Sequence, residues 1–295
     1  MMQELPLAAG LLALAICAVW LPALRLSNTI TIPLWLVLFL AAILTGLSAG
    51  YLKPVGALAL LITTASLYYI DRAPSKLARG LSIGFATVLV LLLAFHAVPG
   101  FQNPILLNKI RFTPDALPYT MYANFDKASV GLLLLALVCP HAKTWHDWRQ
   151  LLTQSWPILV ATIVAVTIIG LALGYVRIAS KWPASTALWV VVNLLFVSVA
   201  EESFFRGFLQ ARLARLLTTK NVAAAQGISL VVCAILFGLV HFGGGVMYIA
   251  LATLASLGYG YAYLRTQRVE AAIITHFAVN LVHFLGLTYP ALAKL

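Results

Sequence analysis

The residues of this chain with the types and spacing to do chemistry lie in its last third. Glu201, Glu202 and Arg206 occur together in EESFFR, His241 follows Phe237 in FGLVH, and Asn280 follows His276 in HFAVN. Each set interrupts an apolar run, and no ionisable residue occurs between 186 and 200. Charge within a bilayer costs roughly 3 kcal/mol on insertion scales, so such groups are functional candidates by default. A carboxylate can act as a base, imidazoles can transfer protons, and Glu201, His241 and His276 could also serve as zinc ligands.

Helical spacing separates the two glutamates. Glu202 and Arg206 stand at i and i+4, acid first, the favourable order for an ion pair on one helix face. Glu201 lies roughly 100° further round. Glu202 with Arg206 therefore reads as structural and Glu201 as the reactive carboxylate, while a plain charge cluster where the helix leaves the membrane stays open. Phe237 with His241 and His276 with Asn280 each share one face, as inward-pointing groups of a bundle must. Counting 1.5 Å per residue, His241 lies about 30 Å from the start of its helix and His276 about 10 Å from the start of its own. Tilt or an offset between the helices is needed to bring them level.

The elements that must position these groups are membrane helices. Of 295 residues, 62% are hydrophobic and 9% charged, far from soluble composition. Apolar runs at 5–24, 30–51, 55–70, 81–98, 128–139, 157–175, 186–208, 222–242, 246–264 and 271–287 predict an all-α polytopic bundle of about ten transmembrane helices. The count is nine if the short 128–139 segment is re-entrant. The 99–127 stretch, with Pro104, Pro114 and Pro118, reads as an extramembrane loop. Across 141–156, Trp145, Trp148, Leu152 and Trp156 share a face, which predicts an interfacial helix anchored by tryptophans. The first 156 residues then form an N-terminal membrane region and 157–295 a core that carries the motifs within 186–288. Ala252, Ser256 and Gly260 recur every four residues and predict close helix packing beside the motifs.

The net charge of +11 comes from basic residues scattered between spans, which the positive-inside rule explains without a nucleic-acid partner. Either helix count leaves the linkers at 212–220 and 265–268 on the cytoplasmic side. Cys17, Cys139 and Cys233 are too far apart for a disulfide framework or a C-x-x-C site and read as buried filler. His96 reads as a buried hydrogen-bonded side chain and His283 as a helix-end histidine. Gly46, Ser48 and Gly50 spell G-x-S-x-G inside an apolar helix, where the strand and turn of a nucleophile elbow cannot form.

Taken together, EExxxR, FxxxH and HxxxN in order on successive apolar helices resemble the CPBP family of CAAX- and bacteriocin-processing intramembrane proteases, which includes the Rce1-type endopeptidases. The resemblance covers about a third of the chain. It implies that Glu201 and His241 activate water, that His276 and Asn280 stabilise the oxyanion, and that Phe237 walls the site. A metal-free glutamate mechanism is favoured by the resemblance, with no cofactor; zinc or another divalent metal on Glu201, His241 and His276 is the alternative, although no H-E-x-x-H motif occurs. The substrate would be a membrane-anchored protein or peptide in the lipid bilayer. A compact multi-pass chain without large extramembrane domains suggests a bacterial inner membrane. A non-catalytic peptide-binding membrane protein of the bacteriocin-immunity type and a transporter are the rival readings.

Overall fold

The computed structural model describes residues 5–25, 27, 30–217 and 221–293. Each of the ten apolar runs carries a helix: α1 (Leu7–Cys17), α2 (Leu34–Ser48), α3 (Pro54–Tyr69), α4 (Lys76–Ala94), α5 (Phe125–Leu137), α6 (Trp145–Ala172), α7 (Thr186–Leu217), α8 (Val222–Leu239), α9 (Gly245–Thr266) and α10 (Val269–Gly286). Seven of these, α3, α4 and α6 to α10, are long and apolar enough to cross a membrane. Helices α1, α2 and α5 are shorter. The expected all-α membrane bundle is therefore present, with seven full-length candidates where ten runs were counted. The 99–127 loop is not wholly irregular, since it holds short strands at Ile105–Ile110 and Tyr119–Tyr122.

Two compact units divide the described chain. One takes residues up to 106 with 121–138 and 195–200, and the other takes 107–120, 139–194 and 201 onward. In the first unit α5 packs against α1, α3 and α4 and is buried on nearly every side from Ala128 to Leu135. Thirteen residues span roughly 20 Å, short of the roughly 30 Å hydrocarbon, so its all-round apolarity is that of a core helix. Gly131 of α5 sits against Ala200. A Cβ there would lie 2.7 Å from the Ala200 Cα and 3.0 Å from its backbone nitrogen. Backbone cannot swing aside as a side chain can, and overpacking of this kind costs about 1–3 kcal/mol. We expect Gly131→Ala to lower the unfolding midpoint and, by shifting the residue bonded to Glu201, to weaken activity more than any α5 surface substitution. A midpoint and activity equal to the native protein's would show that this contact gives way freely.

Three local features differ from expectation. Helix α6 begins at Trp145 and runs through Pro157, so the Trp-rich segment is the first turns of a long helix and not a separate interfacial one. A capping box starts it: Thr144 Oγ1 accepts from the Asp147 amide at 3.1 Å and Asp147 Oδ2 accepts from the Thr144 amide at 3.0 Å. Proline inside a membrane helix is tolerated because other groups satisfy the carbonyl it leaves free. Trp145 and Trp156 are exposed, as interfacial anchors would be. Cys17 is exposed on α1 and is not buried filler, whereas Cys139 and Cys233 are buried; all three are free thiols. Nor is His96 buried: it is half-exposed, and Nδ1 lies 2.8 Å from the buried Asp126 carboxylate.

In the second unit α9 is central, packing along α6, α8 and α10. Phe205, Phe237, Tyr259, Tyr263 and Val279 share a core with small residues Ala252, Ala255 and Ala272. That core surrounds the motif residues.

Candidate active site

The glutamates stand on a helix that is not regular. Helix α7 winds as a π-helix over Val192–Ser198 and again over Ser203–Gln210, with only Val199–Glu202 as α-helix between them. π-turns are rare and concentrate at functional sites. Glu202, Arg206 and Gln210 all turn inward and are buried. Arg206 Nη2 donates to the Ser256 carbonyl at 2.9 Å and to the Ser256 hydroxyl at 2.6 Å, and Gln210 Nε2 donates to the Gly260 carbonyl at 3.2 Å. The expected close packing of Ser256 and Gly260 is thus the seat of a polar ladder between α7 and α9. A Cβ at Gly260 would press most closely on Leu230 Cδ1 and lie 2.9 Å from Gln210 Oε1, so a side chain there would crowd both.

The Glu202–Arg206 pair predicted from spacing is present, with Nε 3.0 Å from Oε2 and both side chains 0% exposed. Glu202 does more than balance Arg206. Its Oε1 accepts from His276 Nδ1 at 2.7 Å, a partner 74 residues away on α10. The Tyr259 ring stacks on the His276 imidazole with centroids 4.6 Å apart and planes at 7°. Together these contacts fix the ring orientation and place the Nδ1 proton towards Glu202, so the remaining position for chemistry is Nε2.

His241 lies just past the end of α8, where its Nδ1 donates to the Phe237 carbonyl at 2.7 Å. The carbonyl can only accept, so this bond also puts a proton on Nδ1 and leaves Nε2 as the free ring position. Phe237 is the hinge of the arrangement. Its ring lies 4.7 Å from His241 and 5.8 Å from His276, centroid to centroid, and edge-on to Phe205 and Tyr259. His241 stands at the far end of α8 and His276 two turns into α10, yet both rings lie against Phe237. After His241 the chain turns through Phe242–Gly244, and Gly245, at φ +81°, makes the left-handed step into α9.

Asn280 Nδ2 donates to Asn193 Oδ1 at 3.2 Å, which occupies one of its two amide protons. Asn193 lies in the first π-segment, and an aromatic cluster anchors that end of α7 to the end of α10. Trp189 stacks on Phe284 at 4.2 Å and donates its indole N–H to the Tyr289 hydroxyl at 3.2 Å. Half-buried Glu201 lies in electrostatic reach of Tyr248 and Tyr259 on α9, and Tyr248 in turn sits edge-on to His241 at 5.4 Å. His283, by contrast, turns to the Thr288 carbonyl at 3.2 Å as a helix-end histidine.

Asn193, Tyr248 and Tyr259 were not singled out by the sequence patterns. A carboxamide alone in the apolar run VVNLLF is the signal that could have found Asn193, because a polar side chain inside a membrane helix needs a partner. Among the described residues, no group of three His, Cys, Asp or Glu side chains is arranged to hold a metal ion, so Glu201, His241 and His276 do not form a ready ligand set. Cys139, buried just past the end of α5, is not set up as a thiol nucleophile. Burial, reinforced by the nearby Glu270 charge, pushes the Cys139 thiol up to about 12, far from the thiolate a cysteine nucleophile needs.

No curated protein and no solved structure matches the chain. Residues 183–282 match the family model for type II CAAX prenyl endopeptidases, Rce1-like, and the matched stretch runs from the start of α7 into α10. Glu201, Glu202, Arg206, Phe237, His241, His276 and Asn280 all fall within it. This stretch, about a third of the chain, is similar to the Rce1-like CAAX endopeptidases.

Proposed function

We propose that the chain hydrolyses a peptide bond near the membrane surface in a CAAX-like or other membrane-anchored protein or peptide, using a water activated by Glu201 and His241 and an oxyanion site made by His276 and Asn280. The family match over residues 183–282 supports an intramembrane endopeptidase in general. The observation that carries the finer reading is the pair of Nδ1 anchors, His276 to Glu202 and His241 to the Phe237 carbonyl, which leave both Nε2 atoms available beside one aromatic ring.

In this reading, the water gives a proton to Glu201 or to His241 Nε2 as its oxygen bonds to the scissile carbonyl carbon. The carbonyl electrons move onto oxygen, where His276 Nε2–H and the second amide proton of Asn280 meet them. His276 can donate there only as an imidazolium, because Nδ1–H already serves Glu202. When the C–N bond breaks, the proton held by Glu201 or His241 passes to the leaving amine. No acyl-enzyme forms.

Asn193 is a positioning residue here. Removing an oxyanion donor outright costs about 10²–10³ in rate, and freeing Asn280 to rotate should cost a part of that, roughly tenfold, in Asn193→Ala. The loss should fall on kcat with KM little changed; a change in KM alone would mean that Asn193 serves substrate binding. The reading itself is tested with the purified protein in lipid vesicles and a prenylated peptide ending in a CAAX-type sequence. A single internal cleavage is expected, and a prenylated peptide left intact alongside cleavage of an unmodified membrane-anchored one would discard the CAAX-like substrate class.

A further inference from the structure

A cavity of about 450 Å³ opens at the end of the second unit where α7 finishes, α8 begins and α9 turns into α10. Its lining is divided by chemistry. Arg215 and Arg268 supply positive charge, Gln210 and Gln226 supply amides, and Val222 and Leu264 supply apolar surface. Arg268 is partly engaged already, donating to the His141 carbonyl at 3.1 Å and lying 3.6 Å from Asp147, whereas Arg215 is exposed. Gln210 lines the cavity and is 3% exposed, and its Oε1 has no hydrogen-bond partner. A buried carbonyl oxygen of this kind calls for a donor from whatever occupies the space.

We infer that this cavity binds the headgroup of an anionic, hydroxyl-bearing phospholipid such as phosphatidylglycerol. The phosphodiester would lie between Arg215 and Arg268, a headgroup hydroxyl would donate to Gln210 Oε1, and an acyl chain would leave along Val222 and Leu264. The basic linkers at 212–220 and 265–268 set this end on the cytoplasmic side by the positive-inside rule, where basic pockets between helices collect anionic headgroups. Two arginines disfavour a zwitterionic headgroup, whose cation they would repel. The inference does not rest on the protease reading, since Gln210 and Arg215 lie outside the residues assigned to hydrolysis.

The test is native mass spectrometry of the full-length protein released from vesicles containing equal phosphatidylglycerol and phosphatidylcholine with identical acyl chains. One retained phosphatidylglycerol is expected, favoured over phosphatidylcholine. Arg215→Gln should lower that preference by about fivefold, the factor expected for one basic group near a charged lipid surface. Gln226→Leu, on another helix, should lower it independently while the unfolding midpoint in phosphatidylcholine stays unchanged. Equal retention of the two lipids, or a preference untouched by Arg215→Gln, would overturn the inference. A thermal shift from free glycerol 3-phosphate as large as that from phosphatidylglycerol would assign the cavity to a soluble phosphate ester and overturn the lipid reading.

Discussion

Glu202→Ala is expected to destabilise the protein by about 3–5 kcal/mol, because it leaves the fully buried Arg206 guanidinium without its countercharge. The same change removes the acceptor for His276 Nδ1, so the imidazole loses the contact that fixes its tautomer. These two losses can be separated. Replacing both members of a buried ion pair by apolar residues is often neutral for stability. The double variant Glu202→Leu with Arg206→Met should therefore recover much of the unfolding free energy in detergent, yet remain inactive because His276 is still unanchored. Recovery of activity along with stability would mean that Glu202 serves the fold alone. Failure to recover stability would mean that the Ser256 contacts of Arg206, and not its charge balance, hold α7 to α9.

Glu201→Gln is expected to lower kcat by about 10²–10⁴, the range supplied by a positioned general base, with little change in KM. The carboxamide has the same shape and cannot accept the proton. Helix content and the unfolding midpoint should stay near native, in contrast to Glu202→Ala. Neighbouring carboxylates with different signatures, one lost in rate alone and the other in stability as well, are the consequence of their different environments: half-buried within electrostatic reach of Tyr248 and Tyr259, against fully buried between a guanidinium and an imidazole.

Much of this was legible in sequence because it depends on short-range geometry. The i, i+4 pairing of Glu202 with Arg206 follows from helical spacing, and it survives even though the helix widens into a π-form immediately afterwards. The ten apolar runs each became a helix, since hydrophobic length is a local property. What depends on tertiary partners was not legible. Nothing in HFAVN announces that His276 will bond Glu202 across 74 residues, or that Tyr259 will stack on it. The apolar pattern of 128–139 is the same whether the segment meets lipid or protein, and only packing against α1, α3 and α4 shows α5 to be a core helix. The change from the Trp-rich pattern of 141–156 to the apolar run from 157 suggested two helices where one continues through Pro157, because one missing amide does not outweigh a continuous helix on either side. Two π-segments in α7 left no mark in composition at all.

The most direct measurement compares the termini of membrane proteins, by mass spectrometry, in cells producing the native chain and cells producing Glu201→Gln at equal abundance. New termini found only with the native chain are the expected result; they would establish hydrolysis, identify the substrate and place the base at Glu201. Identical termini in the two cultures, with any phenotype retained by the variant, would contradict hydrolysis and leave a peptide-binding role for the same helices.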